Sequence, residues 1–331
     1  MPRYRRVQTI SHDIGAEGQV VLIVSSSDVT LTAAKGIIAQ LQATFELSAG
    51  SESEADARFE AAKLRVTATA GRLEATEEGS ERGLGAAFGR LLGGRDVDLT
   101  RVEGSAPPGS GLEVRAVSGD LQTSGFHGGQ RLHTVSGDMR IVETGGGLEV
   151  HSVSGDVSLR GTAEVDLNID TVSGDVSAEA PTFRRLDVNA VSGDVAVDGA
   201  LGPGPHAVDT VSGDMRLATG SGVTVSVRGL ASDVHSSLPH RLEGSSDRRR
   251  LIVGDGAAPL AFSSMSGDLS VTRSRQAVPA APPLPPTPAT SAAPPAAPAE
   301  QTDDARTAIL TALERGEIDV DEAMRRLGGE S

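Results

Sequence analysis

The apolar positions of this chain fall into columns. A tetrad of the form apolar-Ser-Gly-Asp occurs seven times, first as Val117-Ser118-Gly119-Asp120 and last as Met265-Ser266-Gly267-Asp268. The Asp residues at 120, 138, 156, 175, 194 and 214 are spaced by 18, 18, 19, 19 and 20 residues. Eight positions before them stand Leu112, Gln130, Leu148, Leu167, Leu186 and His206, and six before them Val114, Leu132, Val150, Ile169, Val188 and Val208. Four before are small residues: Ala116, Thr134, Ser152, Thr171, Ala190 and Thr210. This period-two alternation predicts a strand with one buried face. Val117, Val135, Val153, Val172, Val191 and Val211 then read as a flip of parity, followed by a second apolar set at Leu121, Met139, Val157, Val176, Val195 and Met215. Two short strands out of phase require a corner, which the pattern places at the small residue before the Val.

A unit of this length cannot bury its own apolar face, but copies stacked about 4.8 Å apart can. The chain is therefore expected to be all-β, a β-solenoid or β-roll of 18–20-residue rungs. An antiparallel sandwich is the competing class. Identical columns favour stacked coils, because a sandwich needs no such register. The pairs Gly119/Asp120, Gly137/Asp138, Gly155/Asp156, Gly174/Asp175, Gly193/Asp194, Gly213/Asp214 and Gly267/Asp268 are read as repeat turns, each Asp accepting nearby backbone N–H groups in an Asx turn. A row of calcium sites is the alternative, with one Asp per rung and few further oxygen ligands to support it.

Four segments follow. Residues 1–104 look like an irregular start of the stack, with rungs around Asp28 and Arg72, a strand over 40–48, a helix over 52–63 and a Gly- and Arg-rich insertion at 79–95. Residues 105–273 carry the regular rungs, with a degenerate one at Asp233 following Asp214. Residues 274–302, almost wholly Ala, Pro, Ser and Thr, read as a disordered linker. Residues 303–331 read as a helical hairpin, with Ile309, Leu310, Leu313, Ile318, Met324 and Leu327 as apolar positions available to a partner. So short a module buries little alone, so it is expected to oligomerise or dock.

Composition narrows the chemistry. The net charge of −15 disfavours nucleic acid and anionic membranes. Absence of Cys removes disulfides and thiolate metal sites. Aromatics at 2% leave few platforms for sugars or bases. No stretch reads as a signal peptide or membrane span, which makes the cytoplasm the default with envelope association as the alternative. His133 and His151 share a column, with Asp170, Asn189 and Asp209 further along it. They read as solvated polar positions; zinc is the alternative and lacks a fixed third ligand. No cofactor and no catalytic constellation is indicated.

The recurring Val-Ser-Gly-Asp after Leu-x-Val between Leu112 and Leu217, together with the approach Pro107-Pro108-Gly109-Ser110-Gly111-Leu112, resembles the bacterial "putative adhesin" family of β-strand-repeat proteins with SGD repeats. The tail from Ile309 to Leu327 is similar to short C-terminal oligomerisation-like domains of bacteria. The resemblance implies a domain of unknown function, no catalytic residues, and an envelope or stress setting in some members. The resulting expectation is a non-enzymatic scaffold that binds a protein partner or itself through 303–331. A bactofilin-like self-assembling filament and a carbohydrate-active β-helix enzyme are the alternatives.

Overall fold

The computed structural model describes residues 2–78, 97–231, 233–245 and 248–274. The expected insertion at 79–95, the linker from 275 to 302 and the helical module 303–331, with Ile309, Leu310, Leu313, Ile318, Met324 and Leu327, lie outside the described residues.

Within the described residues the chain is a parallel β-solenoid. The strand before each tetrad pairs with its equivalents one period away: Leu132 stands between Val114 and Val150, and Ile169 between Val150 and Val188. The strand after each tetrad does the same on the next face of the coil, with Met139 between Leu121 and Val157. The Asp28 rung joins this stack directly, because Gln19–Ile23 pairs with Gly111–Arg115 and Asp28–Ala33 pairs with Leu121–Ser124. Antiparallel pieces cover the first end. Arg3–Asp13 pairs with Ile38–Ser48, which pairs with Val97–Ala106. The helix Glu52–Ala62 is capped by the Ser51 hydroxyl, which accepts from the Glu54 N–H, and it packs Phe59 edge-on against Phe45 at 5.4 Å.

Two expectations about rungs change. The segment around Arg72 is a tight antiparallel hairpin, Arg65–Thr69 with Arg72–Thr76, whose second strand lies on Gln19–Ile23. Gly71, with φ of 75°, serves the hairpin turn rather than a corner of the stack. The rungs also leave sequence order. Ala258–Ser266 pairs with His206–Ser212 on one edge and with Val223–Ala231 on the other, so the Asp268 rung lies between those of Asp214 and Asp233. The cause is the hairpin His240–Ser245 with Arg248–Val253. Its second strand runs antiparallel along Val223–Ala231 and occupies the far edge, leaving only the near edge for the returning chain.

The corner lies inside the tetrad, not at the small residue before it. Alternation continues unbroken through the small residue, which is buried (Thr134, Ser152, Thr171, Ala190), to the Val, which points outward. The Gly then turns the chain, with φ of 123°, 122° and 127° at Gly137, Gly155 and Gly174. A Cβ on Gly155 would stand 2.2 Å from the Gly137 carbonyl oxygen, so the column requires glycine for closeness as well as for φ. The Asp side chain does not close a local Asx turn. Each carboxylate accepts the N–H of the Asp in the next rung: Asp120 from Asp138 at 3.0 Å, Asp138 from Asp156 at 2.9 Å, Asp156 from Asp175 at 2.8 Å and Asp175 from Asp194 at 2.9 Å. The same bond runs from Asp28 to Asp120, and from Asp214 to Asp268 to Asp233, following spatial rather than sequence order. Charge-assisted bonds of this kind, one per rung, offset the repulsion within the Asp column.

The inward columns make one continuous core of Leu, Val, Ile, Met and Phe. His206 departs from it. It takes a position occupied by Leu in four of the rungs aligned above, and is 4% exposed. Its Nε2–H donates to the Gly202 carbonyl at 2.9 Å, while Nδ1 is buried with no partner. Burial holds its pKa below the ordinary value.

Two outcomes are expected. D156A leaves the Asp175 N–H without its acceptor and should cost about 1–2 kcal/mol, lowering Tm by about 2–6 °C, whereas D156N keeps an oxygen and should cost less. For His206 the unfolded chain takes up a proton near pH 6.5 and the fold resists it. Stability is therefore complete above that pH and is lost as pH falls from there toward the depressed folded value. H206L should raise Tm at pH 7, and its Tm should fall less than that of the native chain between about pH 6.5 and 5 by circular dichroism.

Candidate functional site

The outward Val column is the feature that pattern reading assigned to the core and that the structure places on the surface. Val153 is 46% exposed, Val172 48%, Val191 48% and Val211 45%, and Met265 at the same position of its rung is 62% exposed. Val117 and Val135 extend the row and are half-buried. Parallel pairing puts these side chains one above another, giving an unbroken apolar ladder one residue wide. The ladder forms one wall of a groove of ≈ 1430 Å³. The row was legible in principle: the Val follows an inward small residue with nothing between, so strict alternation sends it outward. Reading every recurrent β-branched residue as core hid this.

The other wall is the outward column two residues earlier, Arg115, His133, His151, Asp170, Asn189 and Asp209, with Ser263 and Arg228 toward the end. Its members bond along the stack. The His133 and His151 rings stack with centroids 4.6 Å apart and planes 12° from parallel. His151 Nδ1 lies 3.0 Å from Asp170 Oδ2 and its Nε2 3.0 Å from Glu149 Oε1. Asn189 Nδ2 donates to Asp170 Oδ1 at 2.9 Å. Burial, and then the nearby His151 and Arg115, hold His133 below its ordinary pKa. The hydrogen bond from His151 holds the Glu149 carboxyl below the usual range. Arg115 leans 2.8 Å from Glu113. Asp209 makes no ion pair among the described residues. Beyond the ladder on its other side run the tetrad Ser and Asp columns, both exposed at Ser154/Asp156 and Ser173/Asp175.

The two histidines and Asp170 thus do meet, in a stack rather than a cage. Among the described residues no group of three or more His, Asp or Glu side chains is placed to hold a metal ion. The tetrad Gly and Asp residues from Gly119 to Asp268 all sit at the corner, where the Asp carboxylates bond between rungs. The outer faces add ion pairs across neighbouring rungs, Arg131 to Glu149 at 3.2 Å and Arg160 to Glu179 at 3.1 Å. No helix of the described residues is long and apolar enough to cross a membrane.

Fold and groove together define a repeat protein whose recognisable surface feature is linear. The chain belongs to the Toastrack DUF4097 family, whose model matches residues 16–184 and 145–272, most of the chain and all of its regular rungs. No curated protein matches it in sequence. Among solved structures it is similar to a "putative cell adhesion protein" from Clostridium sporogenes (8% identity, 82% of this chain and 100% of that one, TM-score 0.26). A "putative adhesin" from Bacteroides fragilis is similar at 11% identity over 81% and 97% of the two chains, with a TM-score of 0.26. A "putative lipid binding protein" from Parabacteroides distasonis is similar at 11% identity over 80% and 96%, with a TM-score of 0.32.

Proposed function

We propose that this chain is a non-enzymatic interaction scaffold: the solenoid presents the Val ladder to an elongated partner, and residues 303–331 supply a second module for self-association or partner binding at the end of the 274–302 linker. The observation that carries the reading is the unbroken outward row from Val117 to Met265, exposed from Val153 onward. Half-exposed aliphatic side chains in line cost a strand protein solubility unless something covers them, and contiguous apolar patches mark interaction sites. A stack that is rigid along its axis keeps such a row straight, which suits recognition of an extended surface.

The alternatives receive less support. End-to-end growth into a bactofilin-like filament would continue the parallel rungs past each end, yet the outer strands there belong to antiparallel hairpins, Arg65–Thr69 with Arg72–Thr76 at the first end and His240–Ser245 with Arg248–Val253 at the last, which break the parallel repeat. Sugar hydrolysis needs two carboxyl groups poised across a bond. The carboxyl groups that line this groove are Asp170 and Asp209, two rungs apart in one column, and Asp170 is held by His151 and Asn189.

The test is a comparison of the native chain, the groove variant V153S/V172S/V191S and a chain ending at residue 302. The groove variant should keep the native melting curve to within about 1 kcal/mol, because exposed positions tolerate substitution, and should lose partners that the native chain retains in a pull-down. Truncation at 302 should lower the mass in sedimentation. Partner lists and masses unchanged in both would overturn the reading.

A further inference from the structure

We infer that the groove takes an amphipathic α-helix of a partner protein, apolar along one stripe and carrying Lys or Arg beside it. This rests on the groove reading above and adds the chemistry of the occupant. Three observations lead to it.

The first is pitch. Rungs repeat at about 4.8 Å, so the ladder offers an apolar side chain at that interval. An extended peptide presents same-face side chains every 6.6–6.8 Å or so, drifts by about 2 Å per step, and is out of phase within three rungs. The apolar stripe of a helix, one residue per 3.5 on average at 1.5 Å each, advances about 5.3 Å and is half a step out only after about five rungs. The row from Val117 to Met265 spans seven rungs in the order Val117, Val135, Val153, Val172, Val191, Val211, Met265, a length of about 29 Å or about 19 residues of helix, and a straight helix centred on it stays within half a step at both ends.

The second is width. The stripe is a single residue across, with polar columns on both sides. That matches the narrow apolar seam of a helix that packs on protein, not the broad face of one that lies in a membrane.

The third is charge. On one side the wall is mixed, with Arg115 and Arg228 beside Asp170 and Asp209, so it has no net sign of its own. On the other runs the tetrad Asp column. One oxygen of each of Asp138, Asp156 and Asp175 accepts a backbone N–H, and the other carries no bond among the described residues. Arg115 is drawn to Glu113, and the chain as a whole carries a net charge of −15. An acidic helix or an anionic lipid surface meets repulsion from the Asp column and from the net charge, while a basic one meets one acidic rail along the ladder.

The experiment uses the full chain and fluorescein-labelled synthetic peptides, read by anisotropy. The probes are a Leu/Lys peptide of about 19 residues with leucines at heptad spacing, the same residues scrambled to break the stripe, and a Leu/Glu counterpart. The striped Leu/Lys peptide should bind at least about tenfold more tightly than either control, and V153S/V172S/V191S should weaken it by about tenfold or more. D170N/D209N should weaken it several-fold and flatten its dependence on salt. Equal binding of the scrambled peptide, or tighter binding of the Leu/Glu peptide, overturns the inference. So does binding of vesicles of phosphatidylcholine and phosphatidylglycerol that the triple Ser variant abolishes while no peptide binds. So does a native dimer that the same variant dissociates. In those last two cases the groove still binds and only its occupant is wrong. If the triple variant alters no interaction with any probe, the groove reading itself fails.

Discussion

The rest of the structure depends on the bond between an Asp carboxylate and the N–H of the Asp one rung away. It fixes the distance between successive corners, and it does so where the chain turns, the point at which stacked coils would otherwise slip. The glycine beside it contributes the second constraint. With its carbonyl about 2.2 Å from where the next rung's Cβ would be, no larger residue lets the corners approach closely enough for the carboxylate to reach. The seven tetrad acids, five exposed and two half-buried, would repel one another in open solution. Each is held by a backbone donor, so the column that threatens the stack is also what pins it.

From that corner the surface follows. Because the turn is made by Ser, Gly and Asp, the strand before it keeps its alternation to the end, and the last outward position falls on Val. A repeat that must place a stiff, β-branched residue next to its corner therefore produces an exposed apolar ladder at every rung. The polar column two residues earlier is free to vary, and it does, from Arg115 through the His133/His151 stack to Asp170 and Asp209. The apolar wall gives the groove its continuity, and the Asp rail beside it gives it a sign.

Much of this was legible in the residues. The period, the inward columns at Leu132, Val150, Met139 and Ile141, the parallel stack and the helix near 52–62 follow from alternation and spacing, because burial on one face is what a strand pattern records. Three things were not legible, each for a physical reason. The outward Val was read as core because apolarity was allowed to outweigh parity. The Asp was assigned a local turn because sequence shows neighbours along the chain, whereas its partner lies a full rung away. The position of the Asp268 rung ahead of that of Asp233 was hidden because a hairpin at 240–253, without tetrad or period, decides which edge remains open. The Arg72 segment misled in the opposite sense: its Gly-Arg-Leu mimics a corner and makes a hairpin.

The absence of cysteine makes the central claim directly measurable. In V211C/M265C the two thiols would be 54 residues apart in sequence and on adjacent rungs of the outward ladder. Strand neighbours at about 4.8 Å fall within the Cα separation a disulfide accepts. Mild oxidation should link them within one molecule, read as a mobility shift on a non-reducing gel. A pair that stays reduced, with both thiols accessible to maleimide, would contradict the stacked order and the ladder built on it.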